Sequence, residues 1–211
     1  MTNFKTYISV LILFSMFAGK AQENDKLQAV VEKGKSDLIE VLSKAGEQFN
    51  FGLNAEEVRN SQAGAAISFH EMNFEQLLNY DQKGIKATLR PEHKKIIPLV
   101  TNNRVVTTIS TTEREQGNYE ITDLINHQYH NELNELSEEI KQNDFKDLTI
   151  VYVPNLHATI YVAGGKSYTN YENSSLKEAM DSEELMQLLK KDATEFQRKY
   201  GDQIKDGKLL N

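Results

Sequence analysis

Cysteine does not occur in the 211 residues, and proline occurs only at Pro91, Pro98 and Pro154. Without cysteine there is no disulfide framework, no lipid-modified cysteine and no thiol nucleophile, so a hydrophobic core has to stabilise the fold. Proline is scarce and no Gly/Ser/Pro-rich stretch divides the chain, so the usual marks of an interdomain linker are missing. No internal repeat or low-complexity tract stands out either. Beyond Ala18 no apolar run approaches the roughly 20 residues that a helix needs to span a bilayer. Basic residues are outnumbered too, 24 Lys and Arg against 31 Asp and Glu, for a formal charge of −7. A surface of that sign repels phosphate backbones and anionic lipid heads, which argues against nucleic acid and membrane as partners.

What is present begins at the N-terminus. "MTNFKTYISVLILFSMFAGKA" carries Lys5, then an apolar run from Tyr7 to Ala18, then small residues at Gly19 and Ala21. That order is the order of a secretory signal peptide. Residues 1–21 are therefore expected to be removed, leaving a single domain over residues 22–211 that is secreted or periplasmic, with no membrane insertion after cleavage. Cleavage takes away Lys5 and Lys20 and no acid, so the exported chain is more acidic still.

Periodicity predicts the elements. Leu27, Val30, Val31, Leu38, Val41, Leu42 and Ala45 form one helical stripe over residues 25–45, with Gly34 weakening its middle. Asn54 and Glu57 open a short helix that Gly64 can end. "AISFHEM" alternates as a strand does, and "NFEQLLNY" reads as a short helix. In "KIIPLVTNNRVVTTIS" two β-branched runs flank Asn102-Asn103, a two-residue hairpin turn, and Gln116-Gly117-Asn118 turns the chain again into "YEIT". Pro98 lacks a ladder donor, which places its strand at an edge or a bulge. Residues 122–142 carry Ile125, Tyr129, Leu133, Leu136 and Ile140 on one face of an amphipathic helix. Residues 147–165 form a second hairpin turning at Pro154 to His157, and residues 181–200 form a C-terminal helix capped by Asp181 and Glu184. The expected class is α+β: an antiparallel sheet of about five or six strands (meander plus hairpin), with amphipathic helices packed mainly on one face.

Motifs that could carry chemistry fail on their own requirements. Gly164-Gly165-Lys166-Ser167 resembles the end of a phosphate loop, but the first glycine of that loop would fall at Ile160, in mid-strand. "HEMNF" starts like a zinc-protease helix, yet Phe74 stands where the second histidine is required. His127 and His130 lie one helical turn apart without a third ligand, and His93 and His157 do not improve the set. No G-x-S-x-G elbow occurs. Thus no catalytic residue, metal ligand or cofactor is assigned. Tyr168, Asn170 and Tyr171, in a segment without core periodicity, are the candidate binding residues, because tyrosine supplies contact area at low entropic cost. The expectation is an exported, non-catalytic module that contacts a protein, peptide or glycan through a sheet edge or these loops. The rival is a secreted hydrolase using carboxylates or His70, His127 or His130.

Overall fold

The computed structural model describes the backbone of residues 4–46, 49–115 and 117–205, and the side chains of residues 24–46, 49–115 and 117–201. The expected signal peptide lies outside the residues whose side chains are described.

Helix α1 (Phe4–Ala45) buries Leu27, Val31, Leu38 and Leu42, the core of the predicted stripe. Helix α2 (Ala55–Asn60) starts where the Asn54 side chain accepts from the Glu56 amide at 2.7 Å, and it ends at Ser61 rather than Gly64. Strands β1 (Gln62–Ala63) and β2 (Ile67–Glu71) precede helix α3 (Phe74–Leu78), which is capped by Asn73. A 3-10 turn at Ile85–Thr88 then leads to β3 (Lys94–Thr101), β4 (Arg104–Glu115) and β5 (Asn118–Asp123). Asn102 and Asn103 both have positive φ, 49° and 58°, which makes the predicted two-residue turn. Gly117, with φ of 72°, turns β4 into β5 beside Gln116, which lies outside the described residues.

Helices α4 (His127–Glu135) and α5 (Glu138–Gln142) replace the single helix expected over residues 122–142. Residues 122 and 123 belong to β5, and Leu136, with ψ of 159°, breaks the helix. Strands β6 (Thr149–Val153) and β7 (Ala158–Ala163) form the second hairpin, turning at Pro154–Leu156 and His157. Strands β8 (Lys166–Thr169) and β9 (Met180–Asp181) and helix α6 (Ser182–Lys205) complete the chain, with the Asp181 carboxylate accepting from the Glu183 and Glu184 amides.

The α+β class holds, but the sheet is larger than expected and mixed. Among the described residues it has nine strands, in the order β5-β4-β3-β2-β6-β7-β8-β9 with β1 also on β3, and β2 and β6 run parallel while the other pairs are antiparallel. Turn signals reveal only neighbours along the chain. The β2–β6 contact joins two meanders distant in sequence, so no local signal announces it. Pro98 sits in an interior strand and not at an edge, and of the two expected placements the bulge is the one found beside it, where the β3–β4 register shifts between Leu99 and Val100. Its carbonyl accepts from the Gly64 amide at 2.8 Å, on the side where its missing N–H would point, at the break between β1 and β2. The missing donor therefore costs no ladder bond.

Helices cover both faces, which corrects the one-face expectation. On the first face α4 and α5 bury Tyr129, Leu133, Leu136 and Ile140 against Phe69, Ile96, Ile150 and Tyr161. On the second, α1 and α2 cover Ile97, Leu99, Val106 and Ile109 at one end of the sheet, and α3 and α6 cover Val151, Val153, Ala158 and Ile160 at the other. The register confirms that these last two clusters share a face, because Ser68 pairs with both Lys95 and Thr149 and alternation fixes the rest.

Candidate functional site

Two separate helical layers on one face leave the middle of the sheet between them. There the pairing lines up Ser167, Val162, Thr149, Ser68, Lys95 and Thr111 in one row across five neighbouring pairs. Most of that row is polar. An inner strand of a nine-stranded sheet is ordinarily buried on both faces, yet Ser68, His70, Thr149 and Val162 are only half-buried. They floor a groove of about 520 Å³ whose wall is the segment carrying Ile85, Lys86, Leu89, Arg90 and Pro91. That volume lies within the roughly 300–1,000 Å³ of small-molecule sites.

The wall is held by the chain's own backbone. Asn73 N donates to Thr88 O at 2.8 Å, Arg90 N donates to Glu71 O at 2.8 Å, and Met72 bridges to Leu89. Tyr80 braces it from behind: its hydroxyl donates to Glu183 at 2.5 Å and accepts from the Gly84 amide at 3.2 Å, while Lys190 donates to its carbonyl. Burial, and then the hydrogen bond to Glu183, push the Tyr80 phenol up to about 12, so it stays a donor. His70 ties wall to floor, with Nδ1 2.9 Å from the Arg90 carbonyl. A carbonyl only accepts, so Nδ1 carries the proton and Nε2 of the neutral ring is left as an acceptor.

Charge around the groove is mostly neutralised. Arg90 pairs with Glu71 at 3.3 Å and Lys95 with Glu92 at 3.1 Å, whereas Lys86, exposed at the rim, has no ion-pair partner among the described residues. No hydrogen bond joins Ser68 to His70, although both lie on the same face of β2.

A second polar constellation fills the first face. Glu132, 8% exposed, accepts from the Tyr161 hydroxyl at 2.7 Å and from the Gln128 and Asn170 amides at 3.3 Å. Burial first and Glu132 second raise the Tyr161 phenol well above its ordinary value, so its proton stays in that bond. Nearby, the Lys94 amine stands over the Phe69 and Tyr129 rings at 5.3 and 5.7 Å, and burial lowers its pKa against the opposing pull of Asp123. This network joins α4 to β7 and to Asn170 just past β8, and among the described residues the carboxylate's donors are neutral.

The sequence-predicted residues are dispersed. Tyr168 is a β8 strand residue, 8% exposed, in the core under α5, and it edges a cavity of about 350 Å³ with Lys146, Asp147 and Lys166. Asn170 reaches Glu132, and the Tyr171 hydroxyl donates to Asp192 on α6 at 2.9 Å, on the opposite face. Gly164 and Gly165, with φ of 56° and 77°, make a two-residue hairpin turn in which Lys166 pairs with Ala163, so the phosphate-loop lookalike is a β-hairpin. The His127 and His130 rings lie 6.4 Å apart, and among the described residues no three His, Asp or Glu side chains are grouped as metal ligands would be. Sequence reasoning noted Ser68 only as a strand residue, and His70 also as a candidate of the hydrolase reading. Their shared face was readable from the alternation, but the groove depends on the β2–β6 contact. No family model, curated protein or solved structure matches the chain.

Proposed function

We propose that the protein is an exported, non-catalytic binding module that takes its partner into the groove floored by Ser68, His70, Thr149 and Val162. The supporting observation is that Ser68, His70, Thr149 and Val162 stay half-exposed in the middle of an otherwise covered sheet face. Convergent hydroxyls and an imidazole in a mostly apolar cleft are the usual composition of a ligand site. Export rests on the signal-like residues 1–21. Of the partners suggested by the sequence (protein, peptide or glycan), the groove admits a portion no larger than a few side chains or rings.

The rival reading, a hydrolase, has one observation in its favour: His70 is oriented through Nδ1 as a general base has to be. It lacks the nucleophile–base hydrogen bond from Ser68. Amide spectra recorded against a small-molecule and peptide collection test both readings. Binding predicts shifts clustered at Ser68, His70, Thr149 and Val162, with every ligand recovered unchanged. Turnover of any ligand that is lost in both Ser68→Ala and His70→Ala would establish the hydrolase instead.

A further inference from the structure

Given that the groove is the binding site just proposed, its own chemistry points to a ligand smaller and more apolar than the protein, peptide or glycan suggested by the sequence. Its floor strands β2 and β6 are hydrogen-bonded on both sides, so they offer no free ladder to an added peptide strand. The polar partners left for a ligand are the Ser68 and Thr149 hydroxyls and His70 Nε2. Around them stand Ile85, Leu89, Pro91, Val151 and Val162. A ligand studded with amides or hydroxyls would leave several of them unsatisfied against these side chains, at a cost for each. A ligand with an apolar body and a single accepting end meets the apolar wall and the two hydroxyls; His70 Nε2, itself an acceptor, contributes nothing to it.

The sign of that end follows from the ion pairs. Arg90 and Lys95 are each matched by a carboxylate, and Lys86 at the rim is not. Among the described residues the groove therefore carries one unmatched positive charge, on a chain whose formal charge is −7. An anion repelled by the rest of the surface is attracted here, and one unmatched cation suits a single negative charge. We infer that the groove binds a small monocarboxylate with an apolar body, the carboxylate at the Lys86 rim and the body over Val151, Val162 and Leu89.

The test uses octanoate, 1-octanol and octyltrimethylammonium, three probes with one tail and different heads, titrated into the exported chain and followed by amide shifts and calorimetry. Octanoate is expected to move the Ser68, His70, Thr149 and Val162 amides and to bind about fivefold tighter than 1-octanol, as one exposed ion pair allows. In Lys86→Gln that preference should vanish while 1-octanol binding stays within about twofold of the wild type. Equal binding of octanoate and 1-octanol would overturn the carboxylate assignment and leave the groove as a binding site. Tightest binding by octyltrimethylammonium would do the same. Absence of groove shifts with all three probes would overturn the carboxylate and the groove together.

Discussion

Positive φ at Asn102 and Asn103 costs asparagine little, because its short polar side chain tolerates the left-handed region, whereas a β-branched residue there is strained. Asn103→Gly should leave the urea midpoint unchanged or raised. Asn102→Val should lower stability by about 1–2 kcal/mol, so equal and small effects would mean that the two positions do not both need positive φ. These turn residues were readable one at a time, since turn chemistry is local. Gly34 was only half readable. It does interrupt helix propensity, but its reason lies across the interface, where a Cβ would stand 2.6 Å from Ile121 Cδ1 and 3.2 Å from Leu124 Cδ2. Tyr168 was misplaced for a related cause. Its burial comes from α5, whose position its neighbours in sequence do not encode.

At the scale of elements, β4 explains why helices on both faces were missed. Residues 105–111, "VVTTIST", are buried without interruption, and the Thr107, Thr108, Ser110 and Thr111 hydroxyls make no hydrogen bond among the described residues. A strand covered on both faces shows a continuous run instead of alternation. The run was visible, but its threonines and serine made it look half-solvated. The α4–β4 contact behind it carries a pH dependence. The Asn134 side chain donates to the Val105 carbonyl and accepts from the Val105 amide, and His130 lies one turn earlier with Nδ1 buried. Burial first, then the charges of His127 and Arg104, lower the His130 pKa below its ordinary 6.5, against the pull of the Val105 backbone. The unfolded chain therefore takes up the proton first. His130's contribution is intact above pH 6.5 and is lost as pH falls from there through the lower folded value. Urea midpoints measured from pH 7.5 down to about 5.5 should fall more steeply for the wild type than for His130→Gln. Parallel slopes would remove His130 as the source.

At the scale of the whole molecule, the proposed export signal and the core-forming residues lie on one N-terminal helix, and the proposed boundary between them is testable. The buried side chains described along α1 begin at Leu27, six positions past Ala21, so cleavage after Ala21 removes none of the described core. Among the described residues no helix is long and apolar enough to cross a membrane. Mass spectrometry of exported material should show a chain starting at Gln22, and recovery of Met1 on that material would refute cleavage. The chain over residues 22–211 should then unfold cooperatively with α1 still docked. A chain starting at Lys35 discards Leu27 and Val31 and uncovers part of Ile97, Leu99 and Ile109, and should lose roughly 2–5 kcal/mol or fail to fold, because each buried aliphatic side chain removed costs its transfer free energy and leaves a void. If the shortened chain matched residues 22–211 in its urea midpoint, α1 would not be part of the core. The layer bounding the groove on that side would then have to be redrawn.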